Sequence, residues 1–163
     1  MTMRKRKDRT VRGPASGRAR QRGLGERGAA AVEFAIVAPL LFLLVFAIID
    51  FGFAFHGWDA IQNAAREGAR VGAVTPSVTQ IQNRVRSSSS FLDQSRLTVT
   101  VECARNGSSS FGTCGAGGSW AEGDLIRVTV GYDYSYMTPL PSFVGMGQTL
   151  HETAVTESRY EGQ

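Results

Sequence analysis

The chain is poor in the residues from which catalytic and metal centres are built. It has two histidines, His56 and His151, far apart and without metal-ligand spacing, and two cysteines, too few for a four-ligand zinc site. It has no nucleophile–base grouping, no paired histidines and no Gly-rich loop of the form that cradles phosphate. An enzyme, a metal and a cofactor are therefore not expected, and 163 residues exclude a multidomain catalyst. Charge is absent over 16 consecutive positions, Phe34 to Ile49.

What is present is a division of charge. Residues 1–28 carry ten Lys and Arg against Asp8 and Glu26, a net charge of +8, while the rest of the chain carries −4. This Arg- and Gly-rich segment has no periodicity that would bury a face and is expected to be disordered alone. A basic run before an apolar span is read as a topology determinant, so no nucleic-acid partner is expected.

The uncharged run covers roughly 24 Å as a helix, and residues 29–55 cover roughly 40 Å, which brackets a bilayer core. A transmembrane helix over 29–55 is expected, with Pro39 loosening or kinking it through its missing N–H. The basic flank keeps the N-terminus cytoplasmic and places residues 56–163 outside. Asp50 marks the outer boundary, either paired with a basic group or, the favoured reading, at the membrane interface; Trp58 reads as an interfacial anchor.

In the third segment Ala60, Ala64, Gly68 and Gly72 recur every fourth residue, a small-residue stripe for close packing. Its occupant is either a second helix, as in a dimer, or the domain's own sheet. Arg66, Glu67 and Arg70 read as a solvated face with one ion pair, Glu67 to Arg70. Thr75-Pro76 ends the helix, and Ser77 caps a second one through Arg86, with Val78, Ile81 and Val85 on its apolar face. A Ser-rich turn follows, and the Ser clusters at 87–90 and 108–110 read as flexible loop. Alternation over Leu97–Cys103 and Ile126–Tyr134 predicts strands, with a third, more weakly patterned, between Gln148 and Tyr160. The fold class is α+β: a long N-terminal helix, transmembrane then amphipathic, packed on a small antiparallel sheet of three or more strands.

Cys103 and Cys114 enclose ten residues of a Gly/Ser loop. The alternatives are one disulfide or two unpaired thiols. The sequence favours the bridge, because the enclosed residues have no core-forming character and the domain faces an oxidising compartment.

Two borders of the apolar run differ in what a peptidase meets. The outer one, Asp50-Phe51-Gly52-Phe53-Ala54-Phe55-His56, offers large aromatics where a signal peptidase needs small residues. At the inner one Gly28 precedes Ala29-Ala30-Ala31-Val32-Glu33-Phe34, an apolar segment interrupted by one carboxylate. This resembles a type III signal sequence, the kind processed by prepilin peptidases. The stretch RGAAAVEFAIVAPLLFLLVFAIIDFG, followed by NAAREGARVGAV, resembles the TadE-like family of pseudopilins, bitopic proteins of the tight-adherence branch of type IV pili.

That resemblance implies cleavage between Gly28 and Ala29 by a prepilin peptidase, which removes the basic leader 1–28. It implies that Glu33, with Phe34 beside it, sets register in assembly by neutralising the new amine of a neighbouring subunit; the alternative is a carboxylate that snorkels to the headgroups. It also implies a minor pilin of the bacterial inner membrane, passing into an extracellular adhesive pilus. The partners would be the peptidase, other pilins including a second pseudopilin, the membrane assembly platform and lipid. A minor role is expected because major pilins of that branch are much shorter. The competing reading is an unprocessed signal-anchored binding module, using the Gly/Ser loop and the tyrosines of the second strand.

Overall fold

The computed structural model describes residues 22–115 and 120–162. Most of the basic leader expected over 1–28 lies outside the described residues, as does the 116–119 portion of the Gly/Ser loop. The chain divides into two compact units, residues 1–42 and 43–163.

Helix α1, Arg22–Val74, contributes to both units. It begins at Arg22, inside the segment expected to be disordered, because extending an existing helix by a residue costs far less than nucleating one. It continues through Pro39. In the first unit the apolar side chains Val32, Phe34, Ile36, Val37, Leu40 and Leu41 are exposed. One helix, near the N-terminus, is long and apolar enough to cross a membrane.

The second unit is a layer of helix on a four-stranded antiparallel sheet. Its strands are β1 (Leu97–Ala104), β2 (Gly112–Thr113), β3 (Leu125–Ser135) and β4 (Thr149–Arg159), in the order β2-β1-β3-β4. β3 is central and pairs Val130 with Val99 on one side and with Ala154 on the other. Its alternate residues Ile126, Val128, Val130, Tyr132 and Tyr134 are buried against the helical layer. Burial of each large aliphatic side chain there contributes roughly 1.5–3 kcal/mol.

Helix α2, Val78–Ser88, is capped by Ser77, whose side chain accepts from the Gln80 N–H at 3.4 Å, and it buries Ile81 and Val85. The Ser-rich turn is a correction to the sequence reading. Ser87 and Ser88 belong to α2, and Ser89 is fully buried, its N–H and hydroxyl both donating to the Val85 carbonyl at 3.1 and 2.8 Å. A hydroxyl satisfied by a helix carbonyl can be buried at little cost.

The loop between β1 and β3 is tied by a Cys103–Cys114 disulfide. A short helix α3, Leu140–Phe143, interrupts the connection from β3 to β4.

Candidate functional site

Two regions carry the residues singled out by sequence. The first is the start of the apolar helix. Gly28, Ala29, Glu33 and Phe34 all lie on α1 and are exposed. A Cβ placed on Gly28 would meet nothing within 4 Å, so packing inside the chain does not require glycine there. Glu33 has no ion-pair or hydrogen-bond partner among the described residues. A carboxylate in an apolar helical segment costs a few kcal/mol to insert unless it finds a partner.

The second region is the seam between α1 and the sheet. Ala60 and Ala64 are buried, and Gly68 and Gly72 face the protein's own α2 and β3. A Cβ on Gly68 would lie 2.5 Å from Val85 Cγ2 and 3.3 Å from Val128 Cγ1, and one on Gly72 3.1 Å from Ile81 Cδ1. The small-residue stripe therefore brings the helix close to its own domain, and the dimer-face alternative loses these positions.

Asp50 is not a free carboxylate on the helix surface, which corrects the reading of it as an unpaired boundary residue. It is 4% exposed and accepts from the backbone N–H groups of Met137 and Thr138, at 2.9 and 3.2 Å, and from the Thr138 hydroxyl. Neither alternative weighed for it, a basic partner or the interface, anticipated backbone amides, which satisfy a buried carboxylate as well as a cation does. Farther along, Ser158 Oγ donates to the Ala69 carbonyl and the Glu161 N–H to the Ala73 carbonyl, both at 2.9 Å. The domain half of α1 is thus held to the β3–β4 connection at one end and to the end of β4 at the other.

Between these ties lies a buried acid that sequence reasoning missed. Glu152, on β4 directly opposite Tyr132, is 7% exposed, and its Oε2 has no hydrogen-bond partner among the described residues. A Cβ on Gly57 of α1 would come within 3.2 Å of that oxygen, so Gly57 leaves room for it. Burial pushes the Glu152 carboxyl up to about 7. The Tyr134 hydroxyl is also buried without a partner among the described residues, and burial, then the nearby Asp50 and Glu152, raises its pKa.

The tyrosines of β3 are therefore not a binding surface. Tyr132 and Tyr134 face the helix and are buried, which removes them from the binding-module alternative. The solvated face around Glu67 holds its ion pair with Arg70 at 3.0 Å and a second one, with Arg84 of α2, at 2.8 Å. Hydrogen bonds from Arg70 and then Arg84 hold the Glu67 carboxyl below its ordinary value. Among the described residues no group of three or more His, Cys, Asp and Glu side chains could hold a metal ion.

The family model described as TadE-like protein matches residues 28–70. The match takes in Gly28, Glu33, Pro39, Asp50, Gly57 and Gly68, about a quarter of the chain, and over that segment the chain is similar to TadE-like proteins. This suggests a protein related to the tight-adherence pilus. No curated protein and no solved structure matches the chain.

Proposed function

We propose that this is a minor pilin or pseudopilin, structural rather than catalytic. A prepilin peptidase cuts it after Gly28, and it then assembles with other pilins to initiate or cap a tight-adherence fibre. The observation that carries this reading is the exposed Glu33, without a partner among the described residues, five positions after Gly28 and within the segment matched by the TadE-like family. In this reading the leader holds the N-terminus on the cytoplasmic side, the apolar half of α1 crosses the inner membrane, and residues 56–163 lie outside. Cleavage removes ten basic residues and leaves a positive amine at Ala29, which is the charge that Glu33 of an adjoining subunit lacks. An apolar helix whose acid is neutralised can leave the bilayer for a helical bundle at lower cost.

The test is substitution of Glu33. A Glu33→Ala chain should insert, be processed and fold as the parent does, yet lose co-purification and site-specific cross-linking with its partner pilins. Unchanged cross-linking would remove Glu33 from assembly; absence of cross-linking in the parent as well would leave a membrane-anchored domain that is not polymerised.

A further inference from the structure

The β3–β4 connection is built unlike the rest of the surface of its unit. From Tyr134 to Leu150 there are 17 residues without an Asp, Glu, Lys or Arg. Its neck is closed by Ser135 pairing with Thr149 and by the Tyr136 N–H donating to the Gln148 carbonyl at 3.0 Å. Beyond the neck the chain presents Met137, Phe143, Val144 and Met146 to the outside, Phe143 with 84% of its surface exposed. Large apolar side chains at a loop tip are costly in water, and clustered ones mark a surface that is covered in use.

Backbone geometry at the tip separates this loop from an ordinary hydrophilic turn. The Phe143 N–H bonds the Pro139 carbonyl and the Val144 N–H the Leu140 carbonyl, at 3.4 and 3.3 Å. The Gly145 N–H bonds the Ser142 carbonyl at 3.3 Å and the Met146 N–H the Pro141 carbonyl at 2.8 Å. The last two bonds form a Schellman closure of α3, which needs the left-handed conformation that Gly145 adopts at φ 73°. Four successive N–H groups at the apolar tip are thus satisfied without water, the donor half of the condition that hydrocarbon imposes on a backbone entering it.

The loop also has a defined position along α1. Met137 and Thr138 are fastened to Asp50, the first charged residue after the apolar run. Leu140, Val144 and Met146 share a groove of about 200 Å³ with Ala47 and Phe51 of the helix. Ala47 precedes Asp50, so the tip reaches back alongside the apolar run and not away from it. Leu44 and Ile48, exposed on the same helix, continue the apolar surface.

We propose that the 137–146 loop is a second membrane contact, inserting Phe143, Val144 and Met146 into the outer-leaflet boundary between phospholipid headgroups and acyl chains. The inference rests on the reading of α1 as a membrane span. Its occupant is lipid, because the loop is continuous with the apolar run of α1 and its four tip N–H groups are already satisfied. With no basic residue in the segment, insertion depends on apolar area and is indifferent to anionic lipid and to salt.

The test uses the full chain, disulfide intact, in phospholipid vesicles, with single cysteines carrying an environment-sensitive fluorophore at Phe143→Cys, at Leu41→Cys on α1 and at the exposed Ser109→Cys. Brominated phospholipid should quench the Phe143 and Leu41 probes several-fold more than aqueous iodide does, with the opposite order at Ser109 and no change on replacing neutral by anionic lipid. A Phe143 probe quenched by iodide like that at Ser109, with Leu41 still quenched by lipid, would overturn the loop insertion and leave the span intact. A Phe143 probe shielded from both quenchers would mean that protein covers the loop, which also overturns it. Loss of lipid quenching at Leu41 would overturn the span and this inference together.

Discussion

Thr138 donates both its backbone N–H, at 3.2 Å, and its hydroxyl to the carboxylate of Asp50, 88 positions earlier in the chain. With the Met137 N–H at 2.9 Å, this makes Asp50 the residue that fastens the β3–β4 connection to α1. Asp50→Ala would leave two amides of the connection unpaired and free its root. We expect a loss of about 2–3 kcal/mol in the stability of the domain. Amide exchange over 136–148 should accelerate more than in β1. Asp50→Asn, which keeps one acceptor oxygen, should cost less; equal exchange in parent and Asp50→Ala would show that the ties contribute nothing.

Glu152 gives the domain a pH dependence of defined sign. Its carboxyl titrates near 7 when folded and near 4.5 when unfolded, so the folded state binds the extra proton. The associated stability is fully present below pH about 4.5 and is lost as pH rises through about 7. Glu152→Gln removes the charge and keeps the shape. Above pH 8 it should be more stable than the parent by about 2 kcal/mol, and equal to it at pH 4, in denaturant titrations. A variant less stable at pH 8 would mean that the carboxylate has a cationic partner.

The glycines of α1 separate packing from helix propensity. Alanine at Gly68 would place its Cβ 2.5 Å from Val85, and overpacking of that kind costs about 1–3 kcal/mol against a gain in helix propensity of about 1. Gly68→Ala should therefore lower the thermal midpoint. Gly52→Ala, with nothing within 4 Å of the new carbon, should not.

Reduction of the Cys103–Cys114 bridge reopens a short loop. The chain-entropy treatment gives about 3 kcal/mol for its removal. The Cys103→Ser, Cys114→Ser double variant should lose that much stability. Its amide exchange should rise first at Gly112 and Thr113, whose strand pairs only with β1 next to the bridge.

Much of this architecture is visible in the residue pattern, and the exceptions have physical causes. Val128, Val130 and Tyr132 alternate cleanly with polar residues because β3 is central and one face packs on helices. β4 is harder to read because its inward positions include Glu152, Ala154, Thr156 and Ser158, small or polar residues suited to the close approach of α1. Periodicity in α1 reveals Ala60, Ala64, Gly68 and Gly72 but not what fills their face, since a dimer and a sheet demand the same small side chains. Gly57 escaped because it stands outside the every-fourth-residue series, although a glycine near an aromatic run was available as a signal. Asp50 and Thr138 could not be paired from sequence, as contacts across 88 positions leave no local trace.

The central claim is that the chain enters a pilin pathway by cleavage after Gly28. It is tested most directly by the intact mass and N-terminal residue of the protein from its native membrane, with and without the prepilin peptidase. The account predicts a mature chain beginning at Ala29 that reverts to the full-length form when the peptidase is absent. An N-terminus at Met1 in both strains, or one near Phe55 in either, would contradict it.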